Sequence, residues 1–235
     1  MLTFAFFLKR PAFILLSPAI DTMIRRLFIP AVFFLSINYS CFAGENGTKF
    51  GYRGFSGGMM PHSGYFWGGK TTLRDAQGAV LAVEEMRGIP LGLGGAIRFH
   101  FGDHFRVGAE GYGTTLRYGN YNSNVSIGWG GLLAAYYCEY GKFKPFAGAT
   151  LGGGSVKNLT LLQDNPLDDI AEPAVSYRNY PFMAFCPFTG AEYCLNKKIH
   201  LIFKIDYLMN ISNPQDDFVR GPRVYFGFVF YHIKR

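Results

Sequence analysis

Beyond Ile37 the sequence lacks any uninterrupted apolar run that approaches the ~20 residues a membrane-crossing helix requires. Lys and Arg are dispersed among aromatics instead of clustered, so a formal charge of +7 gives no footing for nucleic-acid binding. Cysteine is scarce, four residues in 235, and none stands in the C-x-x-C spacing of a metal or redox site. Cys186 and Cys194 fall on one expected strand, about 26 Å apart, too far for a disulfide. A bond from either to Cys138 stays open. The glycine clusters also lack binding signatures. Ile97 stands where Gly92-Leu93-Gly94-Gly95 would need a third dinucleotide glycine, and no Lys-Ser or Lys-Thr follows Gly152-Gly153-Gly154 in register. No EF-hand spacing appears among the acidic residues Asp164, Asp168, Asp169 and Glu172, or at Asp216 and Asp217, which read as solvated loops. Neither a cofactor nor a bound metal is implied.

What is abundant is glycine and aromatic: 30 Gly, 24 Phe and 15 Tyr, all poor helix formers. At the start, Met23-Ile24-Arg25-Arg26 is followed by an apolar stretch from Leu27 to Ile37 and by Cys41-Phe42-Ala43 before Gly44. That order predicts an export signal over residues 1–43, with Met23 a second candidate start, and one domain over residues 44–235.

Through Leu91 to Leu116 apolar residues alternate with polar or small ones, broken only at Gly102-Asp103-His104. Leu91, Leu93, Ile97, Phe99, Phe101, Phe105, Val107 and Ala109 share one face; Arg98, His100, Arg106, Glu110 and Tyr112 share the other. Extended along the chain, the alternation predicts eight strands at residues 49–68, 89–101, 105–118, 124–140, 143–156, 180–195, 199–209 and 218–232. Short connections at 102–104, 141–142 and 196–198 alternate with longer ones at 70–88, 157–179 and 210–217, as in small outer-membrane barrels. The fold expected is all-β: an eight-stranded antiparallel up-and-down transmembrane barrel behind a cleaved N-terminal signal.

Hairpin arithmetic places Phe101 opposite Phe105, His100 opposite Arg106 and Ala96 opposite Glu110, with Arg98 diagonal to Glu110. Across 196–198 it places Glu192 opposite Ile202 and diagonal to Lys204, with Asp206 further along. Arg98, His100, Arg106, Glu110, Glu192, Lys204 and Asp206 are therefore expected to form a charge network in a lumen only wide enough for side chains. Trp67 and Trp129, with Tyr112, Tyr118, Tyr136, Tyr137 and Tyr140, are expected to form interfacial girdles. As a nucleophile with its base, His62-Ser63 is the best pair on offer, but neighbours on a strand point to opposite faces unless Pro61 and Gly64 make a turn.

Export signal, eight alternating strands and the aromatic run Val224 to Tyr231 together resemble small bacterial outer-membrane β-barrel proteins. GFSGGMMPHSGYF (54–66) and GPRVYFGFVFYH (221–232) are also similar to a Bacteroidales-type barrel group that carries no assigned activity. The resemblance implies residence in the outer membrane and contact with outer-membrane lipid, lipopolysaccharide and the barrel assembly machinery that reads the last strand. The chain departs from the usual aromatic end by closing on His232-Ile233-Lys234-Arg235. A structural or surface-interaction role is expected, with 70–88 and 157–179 as loops for a surface ligand. Two alternatives are an outer-membrane lipid-modifying enzyme and a soluble periplasmic lipid-binding barrel, whose apolar face would turn inward.

Overall fold

The computed structural model describes residues 51–74, 80–119, 123–161, 175–212 and 215–233. The expected signal at 1–43 and the acidic residues between 162 and 174 lie outside them. Among the described residues eleven strands form: β1 (Tyr52–Gly64), β2 (Phe66–Arg74), β3 (Val80–Gly88), β4 (Leu91–Phe101), β5 (Phe105–Tyr118), β6 (Ser123–Tyr137), β7 (Phe143–Leu161), β8 (Val175–Cys194), β9 (Ile199–Tyr207), β10 (Met209–Asn210) and β11 (Pro222–Ile233). Eight of them close a ring in the order β1-β4-β5-β6-β7-β8-β9-β11 and back to β1, every pairing antiparallel. Closure leaves the ring with no open sheet edge.

Period-two side chains decide the two faces. On β5 burial alternates residue by residue from Phe105 to Tyr118, odd positions outward and even positions inward. On β11 Phe226, Phe228 and Phe230 are exposed while Tyr225, Val229 and Tyr231 are buried. Leu91, Leu132, Leu151 and Phe203 join this outer surface, whereas Arg98, Arg106, Glu110, Glu192, Lys204 and Asp206 are buried within. Such an arrangement suits hydrocarbon outside and a polar interior, the reverse of a soluble lipid carrier. No helix among the described residues is long and apolar enough to cross a membrane; the crossing elements here are strands.

Tight turns join strands at the end that carries Tyr52 and Ile233. Gly102 (φ 57°) and Gly141 (φ 61°) take the left-handed conformation there, which only glycine adopts without strain. The opposite end is built up further than expected. Residues 70–74 and 80–88 are strand, where a loop was expected: β2 and β3 pair as a hairpin, with a register shift between Phe66 and Gly69. Gly68 (φ 84°) sits at that shift, and by breaking the alternation it hides the strand from a period-two reading. Likewise β7 runs on to Leu161 and β8 starts at Val175, so 157–161 and 175–179 are ladder. The last strand begins at Pro222; Phe218 and Val219 instead fold inward beside Phe66 and Met86. Trp67 bridges Arg220, and the Lys70 amide donates to the Asp216 carbonyl at 2.8 Å, so the hairpin and residues 215–220 lie together over this mouth.

The expected girdle is only partly formed. Trp67 and Tyr140 are exposed and Tyr136 half-buried, but Trp129, Tyr112, Tyr118 and Tyr137 point into the lumen. Their strand parity, shared with Glu110 on β5 and Leu133 on β6, turns them inward whatever their place near a strand end.

Candidate functional site

The seven charged or imidazole residues expected in the lumen are all buried, and two clusters take in every one but His100. Nearer the tight turns, Glu192 is the hub. Arg106 donates to its Oε1 at 2.6 Å and Arg98 to the same oxygen at 3.3 Å. Its Oε2 meets His200 Nδ1 at 3.4 Å and accepts a hydrogen bond from the Tyr231 hydroxyl. Above it a chain crosses the barrel. Lys204 Nζ donates to Glu110 at 2.7 Å and lies 3.5 Å from Asp206, and Arg223 Nε donates to Asp206 at 2.7 Å. Thr150 and Tyr112 supply further donors to Glu110, at 2.6 and 3.1 Å. Arg223 also reaches Cys186 Sγ at 3.4 Å, and among the described residues Cys138, Cys186 and Cys194 form no disulfide.

The partners differ from those the hairpin arithmetic suggested. Arg98 pairs with Glu192, not with its diagonal neighbour Glu110, and Lys204 serves Glu110 instead of Glu192. Strands β4 and β8 stand opposite one another in the ring, as do β5 and β9, so these ion pairs span the lumen instead of running along a hairpin. Spanning is feasible because an eight-stranded ring is only about two side chains wide. His100 lies apart from the carboxylates, bonded to Ser56 at 2.8 Å.

Aromatic rings fill the remaining width. Lys204 Nζ lies 4.6 Å from the Phe188 ring centre and 4.9 Å from those of Tyr112 and Tyr225. Arg106 stacks over Phe146 at 4.3 Å and Arg223 over Trp129 at 5.0 Å. Glycines make room for them. A Cβ on Gly94 would stand 2.0 Å from Tyr112 Cδ1, and one on Gly92 would stand 2.2 Å from His62 Nε2. The cluster Gly92 to Gly95 thus serves packing, where only a missing side chain fits.

His62 and Ser63 do not form a pair. Strand β1 stays extended through both, bonded on each side, with no turn at Pro61 or Gly64. His62 Nε2 contacts Thr114 Oγ1 at 2.6 Å inside, while Ser63 Oγ donates to the Pro90 carbonyl at 2.9 Å on the other face. Asp217, expected in a solvated loop, is fully buried: Asn158 donates to it at 3.3 Å and Arg178 lies 3.3 Å away. Asp216 beside it is exposed. Among the described residues no three His, Cys, Asp or Glu side chains gather as a metal site.

Sequence reasoning missed Arg223, His200, Thr150 and Tyr231. Arg223 shares parity with Tyr225 and Tyr231 on β11, so starting the alternation one residue before Val224 would have found it.

An apolar exterior around a charged, ring-packed interior makes this a membrane-spanning β-barrel of the small, filled-lumen class. The chain matches no protein-family model and no curated protein sequence. Among solved structures it is similar to Neisserial surface protein A (14% identity, TM-score 0.48, covering 77% of this chain and 99% of that one). Further likenesses are to OprG of Pseudomonas aeruginosa (13%, TM-score 0.49, covering 77% and 98%) and to Ail of Yersinia pestis, solved with the heparin analogue sucrose octasulfate (12%, TM-score 0.42, covering 76% and 99%). These are likenesses of outline, too slight to bear on function.

Proposed function

We propose that the protein resides in the outer membrane of a Gram-negative cell as a closed barrel with a structural or surface-interaction role, reached through an export signal at residues 1–43. One observation carries this reading: ion pairs between opposite strands, Arg98 to Glu192 and Lys204 to Glu110, cross a lumen whose exterior is apolar. A lumen filled this way passes no solute, which leaves the membrane-facing surface and the outer mouth for contacts. The tight-turn end then faces the periplasm, and the β2–β3 hairpin faces outward. That hairpin replaces the expected loop 70–88 as contact surface; Val80 and Val83 are more than half exposed on it. The neighbouring stretch 157–179 would contribute its ladder ends, Lys157 and Tyr177 among them. Membership of the Bacteroidales-type barrel group, and contacts with the assembly machinery and with lipopolysaccharide, belong to the same proposal.

Recovery in the outer-membrane fraction, with faster migration of the unboiled protein on a gel, is the expected result. Purification as a soluble protein without detergent would overturn it. In planar bilayers the protein should show no large steady conductance, because eight strands leave no open aqueous channel.

A further inference from the structure

The outer surface is not uniform around the ring. On one side, Leu91, Leu93 and Ile89 at the hairpin end of β4 are more than half exposed and apolar up to the rim. One strand further on, the character changes. Thr115 on β5 stands opposite Leu91 on one side and Ser126 on the other; Ser126 stands opposite Lys157, and Lys157 opposite Asn179. Two residue pairs nearer the mouth, Arg117 stands opposite Asn124. All six of these polar side chains have outward parity, and Thr115 Oγ1 and Ser126 Oγ are bonded at 3.1 Å on the exposed surface.

Height along the barrel matters as much as composition. From Phe105 to Thr115, β5 rises about 25 Å at ~3.3 Å per residue and a tilt of about 40°, the thickness of the apolar band of such barrels. Arg117 therefore stands just past the hydrocarbon edge, at headgroup level. Arg117 and Lys157 are two strands and two residues apart, about 12 Å between their backbones, with Asn124 and Ser126 between them. Side chains of that length can converge on one anion. Both are exposed, and neither makes an ion pair among the described residues, in contrast to Lys70, Lys144 and Arg178.

We propose that Arg117 and Lys157, with the hydroxyls and amides between and beside them, form a lipid-facing site for a phosphate-bearing headgroup of the outer-leaflet glycolipid, lipopolysaccharide. The site rests on the outer-membrane reading above, since only there is the hairpin end bathed in that lipid. Phosphate takes two cations and several neutral donors, which is what this face offers where the neighbouring rim at β4 offers Ile89, Leu91 and Leu93.

The test uses the full exported protein in phosphatidylcholine nanodiscs, with lipopolysaccharide, its dephosphorylated form or phosphatidylglycerol added, and counts bound lipid by native mass spectrometry. Lipopolysaccharide should be retained by the wild type and by a Lys197→Ala/Lys198→Ala control at the opposite rim, and retained roughly ten-fold less by Arg117→Ala/Lys157→Ala. Equal retention by the rim variant would overturn the site, as would equal retention of the dephosphorylated lipid or of phosphatidylglycerol by the wild type. Outer-membrane recovery and heat-modifiable migration, measured on the same three proteins, show separately whether the barrel reading has failed.

Discussion

Glu192 and Glu110 are both buried carboxylates in one lumen, yet they hold their charge in different ways. Glu192 stands alone against two guanidiniums, Arg98 and Arg106, with His200 and Tyr231 on its second oxygen. Glu110 belongs to a chain in which carboxylates and cations alternate, Glu110 to Lys204 to Asp206 to Arg223, with Thr150 and Tyr112 as neutral donors. Remove the hub and two buried cations lose the one carboxylate they pair with among the described residues; remove one link of the chain and each neighbour keeps another partner. A buried charge left without a partner costs several kcal/mol, so the two regions should differ most in what their loss strands.

The largest effect expected is therefore from Glu192→Gln, which keeps the shape but discharges the hub and puts an amide donor where one carboxylate oxygen had accepted. It should destabilise the barrel by about 3 to 5 kcal/mol, read as a shift in the urea unfolding midpoint in detergent or vesicles. Lys204→Met should cost less, about 2 kcal/mol, because Asp206 keeps Arg223 and Glu110 keeps Thr150 and Tyr112. Equal costs for the two variants would erase the distinction between hub and chain.

Double variants sharpen it. Glu110→Gln with Lys204→Met removes a whole ion pair and leaves Asp206 on Arg223, so its cost should fall below the sum of the single changes by about 1 kcal/mol or more. Glu192→Gln with Arg106→Met still strands Arg98, and should recover less of the loss. If both doubles recover equally, the excess of cations around Glu192 is without consequence, and the lower cluster is held by Phe146 and Tyr137 stacking on Arg106 instead.

Much of this architecture was legible in the chain, for reasons that also show where legibility stops. On β4, β9 and β11, and on β5 as far as Gly113, the outward face is apolar and the inward face carries the charged and polar side chains, so alternation alone gives both strand and face; pairings such as Phe101 with Phe105 and Glu192 with Ile202 follow from turn length. Strand β6 breaks that rule. Its inward side carries Val125, Ile127, Trp129 and Leu133 and its outward side Gly128 and Gly130, so hydropathy points the wrong way and only the register against β5 and β7 fixes the face. That inversion is why Trp129 read as a girdle residue. Partners across the lumen lay beyond reach for another reason. They depend on how many strands close the ring and with what stagger, properties of the whole circuit that no hairpin contains.

The smallest effect expected lies above both clusters, where no ion pair is at stake. His62 Nε2 meets Thr114 Oγ1 at 2.6 Å, and its ring packs on Tyr225 at 4.6 Å and edge-on to Tyr112 at 5.6 Å. Thr114→Val keeps the volume and removes the hydroxyl, leaving a buried imidazole nitrogen without its partner, a loss of about 1 kcal/mol. A cost near that of Lys204→Met would mean that His62 is wired into the charged chain through Tyr225 and Tyr112. A cost confined to the single hydrogen bond would mean that the aromatic layer insulates the upper lumen from the charges below it, so that the chain ends at Arg223.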